Sequence, residues 1–71
     1  MANFNIYRTS KTRPFLGSKK VATFTNTTIE GALNKIYQRY FDKGYRVAMN
    51  FDNVEVDTMG DTLIFKPVEI K

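Results

Sequence analysis

A single stretch of the chain carries helical periodicity, and it lies between segments that alternate. Ile29, Ala32, Leu33, Ile36, Tyr37, Tyr40 and Phe41 recur at i, i+3, i+4, i+7, i+8, i+11 and i+12, which sets them on one apolar stripe of a helix that must be covered. With no second helical stripe to pack against it, the cover has to be a sheet. Thr27 followed by Glu30 has the spacing of a capping box and predicts the helix start. Gly44 predicts its end, because glycine takes the left-handed conformation at low steric cost. Asn34, Lys35, Gln38, Arg39 and Asp42 occupy the opposite, solvated face.

Around the helix the period is two. Phe4 and Ile6 alternate with Asn5 and Tyr7, and Ala22 and Phe24 alternate with Val21 and Thr23, which predicts two paired strands over Phe4 to Thr9 and Lys20 to Thr25. Between them Pro14 and Gly17 break regular structure and make a long hairpin connection. After Gly44, the alternation of Tyr45, Val47, Met49 and Phe51 with Arg46, Ala48 and Asn50 predicts a third strand that turns four large side chains toward the helix. Asp52-Asn53 predicts a two-residue turn and Val54, Val56 and Thr58 a fourth strand. Met59-Gly60-Asp61 predicts a further turn, and Thr62 to Lys66 a last strand that Pro67 places at a sheet edge or terminates.

The order β-β-α-β-β(-β) is that of an α+β domain, a two-layer fold in which a mainly antiparallel β-sheet packs against one α-helix, with residues 1–71 forming one domain. Tyr7, Val21 and Ile64 fall on the uncovered sheet face among polar neighbours. They read as scattered surface apolar residues, with a homodimer or partner surface as the alternative.

A core of this size leaves a net stability of only about 3–5 kcal/mol. The chain contains no cysteine and no histidine, which removes disulfides and the usual zinc and iron ligand sets and points to a cytoplasmic setting. The N-terminal residues lack the charged and apolar regions of a secretory signal, and the longest apolar runs, Val47-Ala48-Met49 and Leu63-Ile64-Phe65, are far from the roughly 20 residues of a membrane span. Without His, Cys or a glycine-rich phosphate loop, the common catalytic pairings are missing and no enzyme or cofactor is expected. Asp52, Glu55, Asp57 and Asp61 lack the calcium-loop pattern and read as a solvated acidic strand face, not a metal site.

Charge is the feature that points to a partner. Residues 1–29 hold five basic side chains and no acidic one, whereas residues 30–71 hold six basic and seven acidic. The whole net charge of +4 therefore lies in the N-terminal part, a directional field suited to an anionic partner. Arg8, Lys11, Arg13, Lys19 and Lys20 flank the hairpin connection, interleaved with Tyr7, Phe15 and the hydroxyls of Ser10, Thr12 and Ser18. Lys, Arg and hydroxyl groups contact phosphates, and an exposed aromatic stacks on a base or wedges a step. The competing expectation is a solvated hairpin whose lysines prevent edge-to-edge pairing. Within the connection, Phe15 and Leu16 are expected to fold back over one end of the core; exposed, with Tyr7, they would instead anchor a protein partner.

Thr28-Ile29-Glu30-Gly31-Ala32-Leu33, followed by Tyr40, Gly44-Tyr45 and Val47, resembles the helix-to-strand passage of a small phage protein that inhibits bacterial RNA polymerase. The resemblance spans residues 28–47, carries no functional residue across, and implies one class of role: a compact phage protein that occludes a surface of a larger machine. The leading expectation is thus a small non-enzymatic protein contacting nucleic acid, DNA or RNA, through its basic N-terminal hairpin. The alternative is a protein-interaction module that meets an acidic protein surface, such as a phage-encoded inhibitor or regulator of a host polymerase or nuclease.

Overall fold

A computed structural model describes residues 1–71. Its elements run β1 (Ala2–Ser10), a 3-10 turn (Pro14–Leu16), β2 (Ser18–Thr27), α1 (Ile29–Asp42), β3 (Arg46–Met49), β4 (Val54–Thr58) and β5 (Asp61–Glu69). The strands form one antiparallel sheet in the order β2-β1-β5-β4-β3, with α1 across one face. The α+β class and the order β-β-α-β-β-β are as the sequence predicts. The core is the seam between the layers: Phe4, Ile6, Val54, Val56 and Phe65 from the sheet against Ala32, Leu33 and Ile36 from the helix.

Local chemistry sets the helix ends. Thr28, not Thr27, caps the start, its side-chain oxygen accepting a hydrogen bond from the Gly31 amide at 3.0 Å. Thr27 is still paired to Ala2 as the last residue of β2 and is buried, so the chain needs one more residue to leave the sheet. At the other end Gly44, with φ +87°, makes a Schellman motif. Its amide donates to Phe41 O at 3.0 Å and the Tyr45 amide donates to Tyr40 O at 3.1 Å, with the Tyr40 and Tyr45 rings in edge contact at 5.8 Å. This pairing of bonds and apolar contact is the common way to satisfy the last helical carbonyls.

Elsewhere the sheet departs from expectation in three places. The β3–β4 turn is centred on Phe51-Asp52, because Asn50 and Asn53 pair through Asn50 N–H to Asn53 O at 2.9 Å and through their side-chain amides at 2.8 Å. Phe51 therefore sits at the turn tip, 98% exposed, and does not face the helix. A bulge at Val21, between the pairs Ile6–Ala22 and Tyr7–Lys20, moves that side chain from the open face to the helix side, where it lines a small cleft with Ala22, Phe24, Arg39 and Tyr40. Finally, β5 lies between β1 and β4 and continues past Pro67 to Glu69. Pro67 pairs with Ile6 beyond the point where β4 begins at Val54, so β5 is locally an edge there and loses no ladder bond on its vacant side.

Candidate functional site

The β1–β2 connection is built as a fixed platform. Pro14 opens the 3-10 turn at the position where its missing N–H costs nothing, the Leu16 amide donates to Arg13 O and the Gly17 amide to Pro14 O, each at 3.1 Å. Gly17 leaves the turn at φ +75°, a conformation that suits glycine. Phe15 stands on this turn 81% exposed, and Leu16 is exposed beside it. They do not fold back over the core; three residues of 3-10 turn are too short to return the ring to the helix–sheet seam.

Pairing then distributes the basic residues. Arg8 lies opposite Phe65 on β5 and opposite Lys19 on β2, so both cations point to the helix side of the sheet, on the part that α1 leaves bare. Arg8, Arg13, Lys19, Leu16, Gly17, Ser10, Leu63 and Asp61 line one open cleft of about 410 Å³. None of the three cations makes an ion pair or a side-chain hydrogen bond; the only ion pairs are Lys11–Glu55 at 3.4 Å and Lys66–Asp52 at 3.8 Å. Arg8 and Lys19 are like charges directly opposite each other, an arrangement that costs a strand pair stability.

The remaining sequence-predicted residues lie elsewhere. Lys11 is occupied by Glu55. Lys20 is opposite Tyr7, which is opposite Lys66 on its other side, forming a separate Lys-Tyr-Lys row on the open face. That face is of mixed charge, not acidic: Arg46 is opposite Asp57, Asn50 donates to Glu55 at 2.8 Å, and Thr62 donates to Asp57 at 3.0 Å.

Asp61, read from sequence as part of an acidic strand face, is the residue that shapes the cleft. Ser10 Oγ donates to its Oδ2 at 2.6 Å; Thr12 Oγ1 and the Thr62 amide each donate to its Oδ1 at 2.7 Å. These bonds, Ser10 first and Thr12 next, hold its carboxyl below the ordinary range, at about 2, because each stabilises the anion. Ser10 Oγ in turn accepts from the Arg13 amide at 3.1 Å. A chain of contacts thus runs from the β4–β5 turn through Asp61 and Ser10 to the backbone that carries Arg13. Asp61 keeps its negative charge in the cleft, but its oxygens are taken by hydroxyls and amides and it forms no ion pair with Arg8, Arg13 or Lys19. The signal in the sequence is the pair Ser10 and Thr12 with an Asp opening the last strand, and it becomes readable only once β1 is known to pair with β5.

No helix is long and apolar enough to cross a membrane. Comparison with protein-family models, with curated proteins and with solved structures finds no match to the chain.

Proposed function

We propose that the protein is a non-enzymatic binding protein that contacts nucleic acid through the basic cleft at the turn end of its N-terminal hairpin. The observation that carries this reading is the convergence of Arg8, Arg13 and Lys19 on one cleft whose single carboxylate, Asp61, forms an ion pair with none of them. Three cations against one carboxylate leave the cleft net positive, and a phosphate neutralises that excess while releasing counterions. Recognition through phosphates carries no base readout, so binding is independent of sequence. Lys20 and Tyr7 add a second contact row on the other face of the same strands, while Lys66 beside them is paired with Asp52. The test is a binding assay against duplex and single-stranded DNA and RNA at two salt concentrations. Affinity that falls steeply with salt and collapses in Arg8→Gln/Arg13→Gln/Lys19→Gln supports the reading; no binding at low salt refutes it.

A second reading rests on Phe15. An aromatic side chain 81% exposed on a fixed turn, next to Arg13 and Leu16, has the composition of an interface anchor. In that case the protein is an interaction module, of the kind that occludes a polymerase or nuclease. A stoichiometric protein partner that survives nuclease treatment and is lost on Phe15→Ala separates the two readings.

A further inference from the structure

We infer that the β3 edge, with the aromatic stripe beside it, is the interface of a two-fold homodimer in which two sheets join into one of ten strands. The first observation is where the exposed apolar residues lie. On the helix, Lys35 and Arg39 flank β2: the Lys35 ammonium sits 5.2 Å from the Phe24 ring, and Arg39 lines the cleft with Val21 and Phe24. The row on the other side of the helix, Tyr37 and Phe41, stacked at 5.5 Å, therefore overhangs β3. Tyr45, Met49 and Phe51 follow along the same edge. Phe41, Tyr45, Met49 and Phe51 are 54%, 42%, 42% and 98% exposed.

The second observation is the state of the two sheet edges. β2 is guarded by Lys19 and Lys20, by the Val21 bulge and by a second irregularity where Asn26 takes φ +54°, all features that discourage edge pairing. β3 has no bulge, no lysine and no proline within it. Because the Asn50 amide bonds Asn53, alternation along the antiparallel ladder turns the N–H and C=O of Val47 and Met49 outward. Antiparallel pairing centred on Val47 sets Tyr45 of each copy opposite Met49 of the other and keeps every odd-numbered residue on the helix side.

The occupant is a second copy for three reasons. The edge is self-complementary in that register. The local charge is balanced, with Asp42, Asp52 and Asp57 against Lys43, Arg46 and Lys66, the last paired to Asp52, so the net +4 held at the far side of the sheet does not oppose association. And a chain with only eight buried apolar core residues gains from a cover that is always present, since such a stripe left bare promotes aggregation. At about 150–250 Å² per fully buried aromatic, the four side chains supply on the order of 400 Å² per copy. With the strand edges, this brings the pair near the roughly 1,200 Å² of a specific interface.

Sedimentation equilibrium or light scattering on the full chain tests the inference. The expected result is a species of twice 8.2 kDa at micromolar and higher concentration. Met49→Pro removes an outward amide that makes no bond within the β3–β4 ladder, and Phe41→Glu charges the stripe. A variant that keeps the far-UV circular dichroism of the parent is expected to weaken the dimer roughly tenfold or more, while Val21→Glu on the opposite edge leaves it intact. A wild-type monomer across that range, a dimer that ignores both β3-side variants, or a dimer broken by Val21→Glu overturns the inference. None of these outcomes depends on nucleic-acid binding.

Discussion

Asp61 Oδ2 accepts a hydrogen bond of 2.6 Å from Ser10 Oγ, tying the β4–β5 turn to the end of β1. The carboxyl titrates at about 2 in the folded protein and near its ordinary value when unfolded, so the folded state binds fewer protons between the two. Its stabilisation is present above about pH 4 and is lost as pH falls toward 2. In urea denaturation over that range, the difference in midpoint between the parent and Asp61→Asn should be largest at neutral pH and shrink through the window. A difference that stays constant down to pH 2 rejects this account.

The helix and the alternating strands were legible because their periods are local properties of the chain. The Schellman end at Gly44 was also legible, since a glycine after an apolar stripe has one economical conformation. The cleft was not. Arg8, Arg13 and Lys19 meet through the β1–β2 hairpin that the sequence predicts, but Asp61 and Leu63, which complete the cleft, come from β5, and the β1–β5 pairing is long-range and not encoded in periodicity. The exposure of Phe51 was missed by a two-residue change in the turn pairing, from Phe51–Val54 to Asn50–Asn53. It is decided by side-chain bonds between asparagines, whereas the hydrophobic pattern is blind to it.

Gly31 is required by a close approach rather than by its backbone angle. A Cβ at this position would overlap the hydroxyl of the buried Thr27. In an open helix, alanine in place of glycine gains up to about 1 kcal/mol; here Gly31→Ala should instead be neutral or destabilising. Relieving the overlap with Thr27→Ala should restore the gain, so the double-mutant cycle is expected to show coupling of about 1 kcal/mol or more between the two sites. Additive effects would mean that the contact is accommodated without cost.

Phe65 and Phe51 make a contrasting pair of the same residue type. Phe65 is buried under the Tyr40 ring at 5.0 Å, and truncating a buried phenylalanine costs about 3–5 kcal/mol, comparable with the whole stability of a domain this small. Phe65→Ala should therefore be largely unfolded at room temperature by circular dichroism. Phe51→Ser, at the turn tip, should change the stability of the isolated monomer by less than about 0.5 kcal/mol.

Arg8 and Lys19 set stability against binding in a single substitution. They face each other across β1 and β2 with no carboxylate paired to either, so the folded protein bears their repulsion. Lys19→Glu replaces a like-charged pair by an opposite one and should raise stability by about 0.2–1 kcal/mol in low salt, with the gain fading as salt screens it. The same change removes one cation from the cleft and adds an anion, so affinity for nucleic acid should fall and the slope of log affinity against log salt should flatten by about one to two phosphate contacts. Neutralising Lys11, whose charge is already spent on Glu55, should alter that slope least among the five hairpin cations. A protein whose Lys19→Glu variant is more stable yet binds nucleic acid as well as the parent would show that this charge pair is held for some other purpose.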